Sequence, residues 1–272
     1  MPWFEAITEN FTGIEGGAGG KPIRVLEKIR ELYPVALHGV SLSIGSSDPL
    51  DKDYLKKIRS LAARIEPQWM SDHLCWTSVE GKHLHDLLPL PFTEKVIQYL
   101  VSRILYVQDF LGRKILFENV SSYMTFSNSE MTEWEFLSEL SKRADCGILL
   151  DINNIYVNSV NHGFDPISYI NGVPRDRIGQ FHLAGHSNQG RYLLDTHDHP
   201  ITAPVWNLYE KALRCFGPIP TLIERDENIP AFPELMKEVH KANSIAEKVH
   251  GKKRISTSIT DRTPTVVAVD HH

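Results

Sequence analysis

The chain is short of cysteines, of long apolar runs and of clustered basic residues, and each shortage removes a class of function. Three cysteines in 272 residues, Cys75, Cys146 and Cys215, show no pairing pattern, so reduced thiols are expected rather than a disulfide framework. No window reaches the roughly eighteen uninterrupted apolar residues of a membrane span, and no membrane partner is expected. The N-terminal MPWFEAITEN lacks the basic and then apolar layout of a secretory signal, which makes the cytoplasm the expected compartment. The formal net charge is −5. Apart from the short GKKR at 251–254 there is no basic run, so no nucleic-acid partner is expected.

What is present is an ordinary globular composition, 42% hydrophobic and 23% charged, arranged in a regular alternation. Seven short apolar runs, WFEAI, VALHGV, PQWMSDHL, KILFENV, GILLDIN, IGQFHLAGH and PTLIERD, read as strands. Between them lie segments with apolar residues at three-to-four spacing, such as DKDYLKKIRSLAARIE and TEKVIQYLVSRILYVQDFLG, which read as helices. Runs apolar on both faces that alternate with helices predict a parallel sheet covered by helices. The fold class expected is therefore α/β, a TIM-type (β/α) barrel occupying residues 1–250 as one domain. Such a barrel has eight strands, so one βα unit is expected to be missing before WFEAI. The alternative is that TVVAV, residues 265–269, supplies the eighth strand; otherwise residues 251–272 read as a loose C-terminal tail.

Nearly every predicted strand ends in a metal-binding residue type: Glu5, His38, Asp72 and His73, Glu118 and Asn119, Asp151 and Asn153, His182 and His186, and Glu224. The C-terminal ends of parallel barrel strands converge on one mouth, which would make these residues neighbours. A single such histidine is more often a hydrogen-bonded core residue, and a single strand-end Asp is often a helix cap. Six coincidences are harder to dismiss. Converging carboxylates would repel one another unless divalent cations neutralised them, so a metal site is predicted. Carboxylate and imidazole donors suit Fe, Mn, Zn or Mg. The loop DTHDHP, with Asp195 and His197, is placed to reach over that mouth. Cys75 reads as a buried structural thiol, and His83 and His85 as an exposed or substrate-contacting loop.

The motifs LHGVSLSIGSSDPLD, SDHLCW, LLPLPFT, LFENVSSY, GILLDINNIYVNSVNHGFD, FHLAGH, DTHDHPI and PTLIERD resemble, in order, the DUF692 (UPF0276) family of multinuclear non-heme iron-dependent oxidative enzymes. The resemblance covers residues 3–240. It implies a xylose isomerase-like barrel with two or three iron ions at its mouth and dioxygen as co-substrate. The implied metal ligands are His38, His73, Glu118, Asp151, His182, Asp195, His197 and Glu224, with Asn119 and His186 as further candidates. Glu118, Asp151 and Asp195 are the implied catalytic carboxylates. The implied reaction is oxidative modification of cysteine in a ribosomally made precursor peptide, assisted by a small partner protein that recruits the peptide leader, as in methanobactin biosynthesis or bufferin maturation. Two departures stand out: family members begin with a strand and helix that are absent before WFE, and Ile7 stands where many carry histidine. From the residues alone, a divalent-metal sugar isomerase or hydrolase on the same barrel, or a non-catalytic metal-binding peptide scaffold, stays open.

Overall fold

A computed structural model describes residues 2–13, 20–251 and 266–270, the last segment as backbone. The chain divides into two compact units, Trp3–Ile148 and a second made of Met1–Pro2 with Leu149–His272.

In the first unit the strands β1 (Phe4–Ile7), β2 (Val35–Gly39), β3 (Met70–His73) and, further along the chain, Leu116–Glu118 lie side by side in parallel. All residues of β2 and β3 are buried, as expected of strands covered on both faces. The helices between them are α1 (Glu9–Thr12), α2 (Lys21–Leu32) and α3 (Lys52–Ile65). The last of these buries Leu55, Ile58, Leu61, Ala62 and Ile65, one stripe at helical spacing. Its start is fixed by Asp51, whose side chain accepts from the Asp53 and Tyr54 amides at 2.9 and 3.0 Å, a cap worth about 1 kcal/mol. After β3 come an antiparallel hairpin, β4 (Trp76–Val79) with β5 (Lys82–Leu88), then α4 (Glu94–Leu111), β6 (Leu116–Glu118) and α5 (Glu133–Arg143). A full capping box of Thr132 and Glu135 opens α5.

Strand β7 (Gly147–Asp151) leads from the first unit into the second. There follow α6 (Ile152–His162), α7 (Pro166–Gly172), β8 (Ile178–Leu183), the short pair β9 (Ser187–Asn188) and β10 (Leu193–Leu194), α8 (Ala203–Phe216), β11 (Thr221–Arg225), α9 (Phe232–His250) and β12 (Val266–Asp270). Strand β11 pairs in parallel with β8 on one side and β12 on the other. The core of this unit includes Phe181, Tyr209, Phe216, Leu213 and Ile223, all buried.

The seven strands expected from the sequence correspond to β1, β2, β3, β6, β7, β8 and β11. Two expectations are corrected. His83 and His85 sit in strand β5, not in a loop. Within the expected loose tail, Val266–Asp270 forms β12, parallel to β11, so the strand alternative for TVVAV holds; residues 252–265 lie outside the described residues. The physical reason is that Val266, Val267 and Val269 favour extended backbone and β11 offers a parallel partner. No described helix is long and apolar enough to cross a membrane.

Candidate metal centre

Two groups of converging donors stand at strand ends, one in each unit. The first is set by strand register. Parallel pairing places His38 of β2 opposite Ser71 of β3, and His73 of β3 opposite Glu118 of β6. Side chains two residues apart on a strand share a face, so His38, His73 and Glu118 meet on one side of three adjacent strands. His38 Nε2 lies 3.2 Å from Glu118 Oε2, His73 Nε2 lies 3.4 Å from the same oxygen, and the two Nε2 atoms are 3.4 Å apart. Each ring is oriented from behind. His73 Nδ1 donates to the Gly39 carbonyl at 3.1 Å, and His38 Nδ1 is 2.8 Å from the Ser71 hydroxyl.

The donation from Nδ1 of His73 leaves its Nε2 as a lone pair directed at the carboxylate. Three ligands held by one ion at about 2.0–2.2 Å, with angles near 90–110°, are separated by about 2.8–3.6 Å. The observed 3.2–3.4 Å triangle therefore fits a single first-row metal ion.

Behind this triangle lies a second layer. Glu9 Oε1 accepts from the Val40 and Ser41 amides at 2.9 Å each, and from the Tyr54 hydroxyl, which pins the backbone immediately after His38. Asp72 accepts from the His73 amide at 2.8 Å. Burial, reinforced by the Glu9 charge, holds its carboxyl well above the usual range. Gly39 is required here because a Cβ at that position would stand 2.2 Å from Asp72 Oδ2.

The second group comprises Asp151, His197 and Glu224, each contributing a donor atom within 4.8 Å of the others. Asp151 ends β7 and also caps α6, its Oδ1 accepting from the Asn154 amide at 2.7 Å. The structural role expected of such an aspartate is thus real, and the same carboxylate joins the donor group. His182 Nδ1 lies 3.1 Å from Glu224 Oε2, and Gln180 Nε2 lies 2.8 Å from His182 Nε2.

His197 is surrounded by acids: Asp195 at 2.8 Å from Nε2, with Glu224 at 3.4 Å and Asp226 at 3.0 Å from Nδ1. Burial works against its charged form, but Asp195, Glu224 and the bonds to Asp195 and Asp226 outweigh it and hold the imidazolium well above the ordinary histidine pKa. Asp195 continues the chain of contacts, accepting from Asn153 Nδ2 at 2.7 Å, while His186 Nδ1 donates to Asn153 Oδ1 at 2.7 Å. Burial lowers the His186 pKa, against the pull of Asp195.

All eight ligand residues expected from the sequence are in one of these two networks. Of the two further candidates, His186 joins the second through Asn153, whereas Asn119 is buried beside Leu74, Leu90 and Val120 along a small cleft. Glu5 is buried in β1 and belongs to neither group of converging donors. Sequence reading did not assign roles to Ser71, Glu9, Gln180 or Asp226. For Ser71 and Gln180 a signal existed, since each precedes a ligand histidine by two residues on the same strand face. Glu9 and Asp226 gave none.

A carboxylate flanked by two imidazole nitrogens, and an imidazole ringed by three carboxylates, both suit a cation. In the metal-free chain a proton on His197 meets part of that need. Divalent ions meet it more fully, and the donor set of histidine, aspartate and glutamate without thiolate suits first-row metals.

The chain is similar to proteins of one family. The family model described as "RiPP precursor modification enzyme MbnB/TglH/ChrH" matches residues 1–247. A UPF0276 protein of Anaeromyxobacter sp. strain Fw109-5 is 56% identical over 245 residues, covering 90% of this chain and 85% of the relative. Another, of Acaryochloris marina, is 53% identical over 244 residues, covering 90% and 87%. Among solved structures, endonuclease IV from Thermus thermophilus aligns with a TM-score of 0.57 at 12% identity, over 91% of this chain and 90% of that one. A D-psicose 3-epimerase crystallised with D-fructose aligns with a TM-score of 0.56 at 14% identity, over 92% and 89%. At such identities the likeness concerns the fold alone, that of xylose isomerase-like TIM barrels.

Proposed function

The chain belongs to the family of RiPP precursor modification enzymes, MbnB/TglH/ChrH, and from that premise we propose that it is an iron-dependent oxidase of cysteine in a ribosomally made precursor peptide, with dioxygen as co-substrate. The observation that carries the metal part of this reading is the His38, His73 and Glu118 triangle, whose 3.2–3.4 Å separations match ligands of one ion. In this reading His38, His73 and Glu118 hold one ion, and Asp151, His182, Asp195, His197 and Glu224 serve a further one or two. When bound, ferrous iron supplies open coordination positions and one-electron chemistry toward thiolate and dioxygen.

The chain's own residues set the conditions. Glu118, Asp151 and Asp195 are assigned as the catalytic carboxylates, the first two buried and Asp195 partly exposed. Ser71 and the Gly39 carbonyl orient the two imidazoles of the first group. His197 holds a proton between Asp195 and Asp226 in the metal-free chain and must release it for its ring to become a ligand. A cysteine-containing peptide is the assigned substrate, a small leader-recruiting protein the assigned partner, residues 1–250 the catalytic domain and the cytoplasm the assigned compartment.

The test is metal analysis and Mössbauer spectroscopy of anaerobically purified protein, followed by incubation with its genomically neighbouring cysteine peptide, the partner and dioxygen. A peptide mass change that needs both iron and dioxygen supports the assignment. Iron-loaded protein that leaves the peptide unchanged but turns over a sugar with Mn or Mg would move it to the isomerase class. Peptide binding without turnover would leave a scaffold.

A further inference from the structure

The inward stripe of α9, made of the buried Leu235, Val239, Ala242 and Ala246, is interrupted by an acid, Glu238. A carboxylate on such a face must be paired, and each of its oxygens takes one donor. Oε1 accepts from the Ile201 amide at 2.7 Å, and Oε2 accepts from Arg225 Nη2 at 2.9 Å. Arg225 is itself buried, and its Nε has no hydrogen-bond partner among the described residues, so the pairing of that cation rests on Glu238. The Ile201 carbonyl is held as well, accepting from Trp206 Nε1 of α8 at 3.0 Å. The two segments that Glu238 joins are those that carry the second donor group. Ile201 closes the loop of Asp195 and His197, and Arg225 follows Glu224 on β11. Neighbouring strand residues point to opposite faces, so Glu224 faces His182 and His197 while Arg225 faces α9. Only Asp198, His199 and Pro200 separate His197 from Ile201, and the proline ring removes one backbone freedom from that short span. Backbone pairing completes the frame, with the Asp226 amide donating to the His197 carbonyl at 3.1 Å.

We propose that Glu238 is a positioning residue for the second donor group: by gripping the end of the 195–201 loop and the end of β11 at once, it fixes where Asp195 and His197 stand relative to Glu224. The proposal rests on the reading of those three residues as metal ligands. Partners that orient ligands in this way govern metal affinity without contacting the ion. Glutamate suits the position because both of its oxygens accept. A glutamine would keep an acceptor for the Ile201 amide but turn a donor toward Arg225, and a leucine would serve neither.

The test uses the full chain, stripped with chelator and titrated with Co2+, and needs no peptide or dioxygen. Calorimetry gives the affinities, anomalous diffraction at the cobalt edge assigns each ion to its group, and the visible spectrum reports coordination number. Glu238→Ala should weaken Co2+ binding at the second group by about 10- to 100-fold, change the spectrum, and leave the affinity of the first group as it was. Two double variants separate positioning from lost stability. Arg225→Met with Glu238→Gln, and Arg225→Met with Glu238→Leu, both remove the buried ion pair, and only the first keeps an acceptor for the Ile201 amide. The glutamine pair should recover a large part of the lost affinity, and the leucine pair should not. Equal affinity of the two double variants at the second group, or a Glu238→Ala protein with wild-type affinity and spectrum, overturns the proposal while leaving the metal and oxidase readings intact. Wild-type protein that takes up no Co2+ at the second group overturns both the proposal and the metal reading. Co2+ binding that follows the expected pattern, in a protein that does not oxidise peptide when loaded with iron, overturns only the oxidase reading.

Discussion

The His197 amide donates to the Gly185 carbonyl at 3.1 Å, tying the DTHDHP loop to the end of the HLAGH strand segment. This contact explains why so many metal-binding residue types gather in residues 180–200: strand and loop present His182 and His197 to the same carboxylate, Glu224. The approach is close enough that a Cβ on residue 185 would stand 1.9 Å from the His199 carbonyl oxygen.

Gly185→Ala should therefore expel the loop. The expected outcome is loss of metal at the second group, with the secondary structure retained, measured by metal stoichiometry beside circular dichroism. Since backbone rather than a flexible side chain blocks the added carbon, the cost should reach a few kcal/mol of stability, in the range of overpacked cores at about 1–3 kcal/mol.

Glu118→Gln keeps the shape of the side chain but removes the charge shared by His38 and His73. Metal affinity at the first group should fall by at least about 10-fold, while the metal-free protein melts within about 1 kcal/mol of wild type, because buried carboxylates cost desolvation that the amide avoids. Equilibrium dialysis and thermal melts after chelation separate the two effects. Unchanged affinity would remove Glu118 from the ligand set.

The raised pKa of His197 gives the metal-free protein a signed pH dependence. Its folded value lies above the ordinary 6.5, so the stabilising contribution is complete below that pH and is lost as pH rises through the folded pKa. Chelator-treated wild-type protein should thus lose stability on the alkaline side, and His197→Gln should flatten that slope. The same proton must leave when metal binds, so calorimetric titration in buffers of different ionisation enthalpy should show net proton release.

Cys75 is buried, and burial first, with the Asp72 and Glu118 charges added, pushes its thiol up. It should resist iodoacetamide in the native protein at about pH 8, near the pKa of a free thiol, and Cys215, which is partly exposed, should be modified before it. Peptide mapping over a time course checks the order. Rapid labelling of Cys75 would contradict its burial.

The seven runs read as strands were legible because each is apolar on both faces and bounded by helical spacing, and the ligands were legible because they interrupt those runs at their ends. The β4–β5 hairpin was not. KHLHDLL is exposed along its first five residues and has no β-branched residue; its pairing comes from the turn at Glu80 and Gly81, both at positive φ, 51° and 70°. A two-residue turn of that kind usually announces itself as Asn-Gly or Asp-Gly, and glutamate in the first position hid it. TVVAV carried a strand signal that the polar stretch before it outweighed. Glu9 acts through contacts whose partners are fixed by tertiary structure, 31, 32 and 45 residues away.

That separation has a kinetic side. Glu9 is made early in synthesis, yet the three donors that hold it are complete only when Tyr54 has been added. The backbone beyond His38 is held through closure of a long chain loop, whose entropic cost must be met before the contact forms. The first metal triangle accordingly leans on contacts that no short segment of the chain can make by itself.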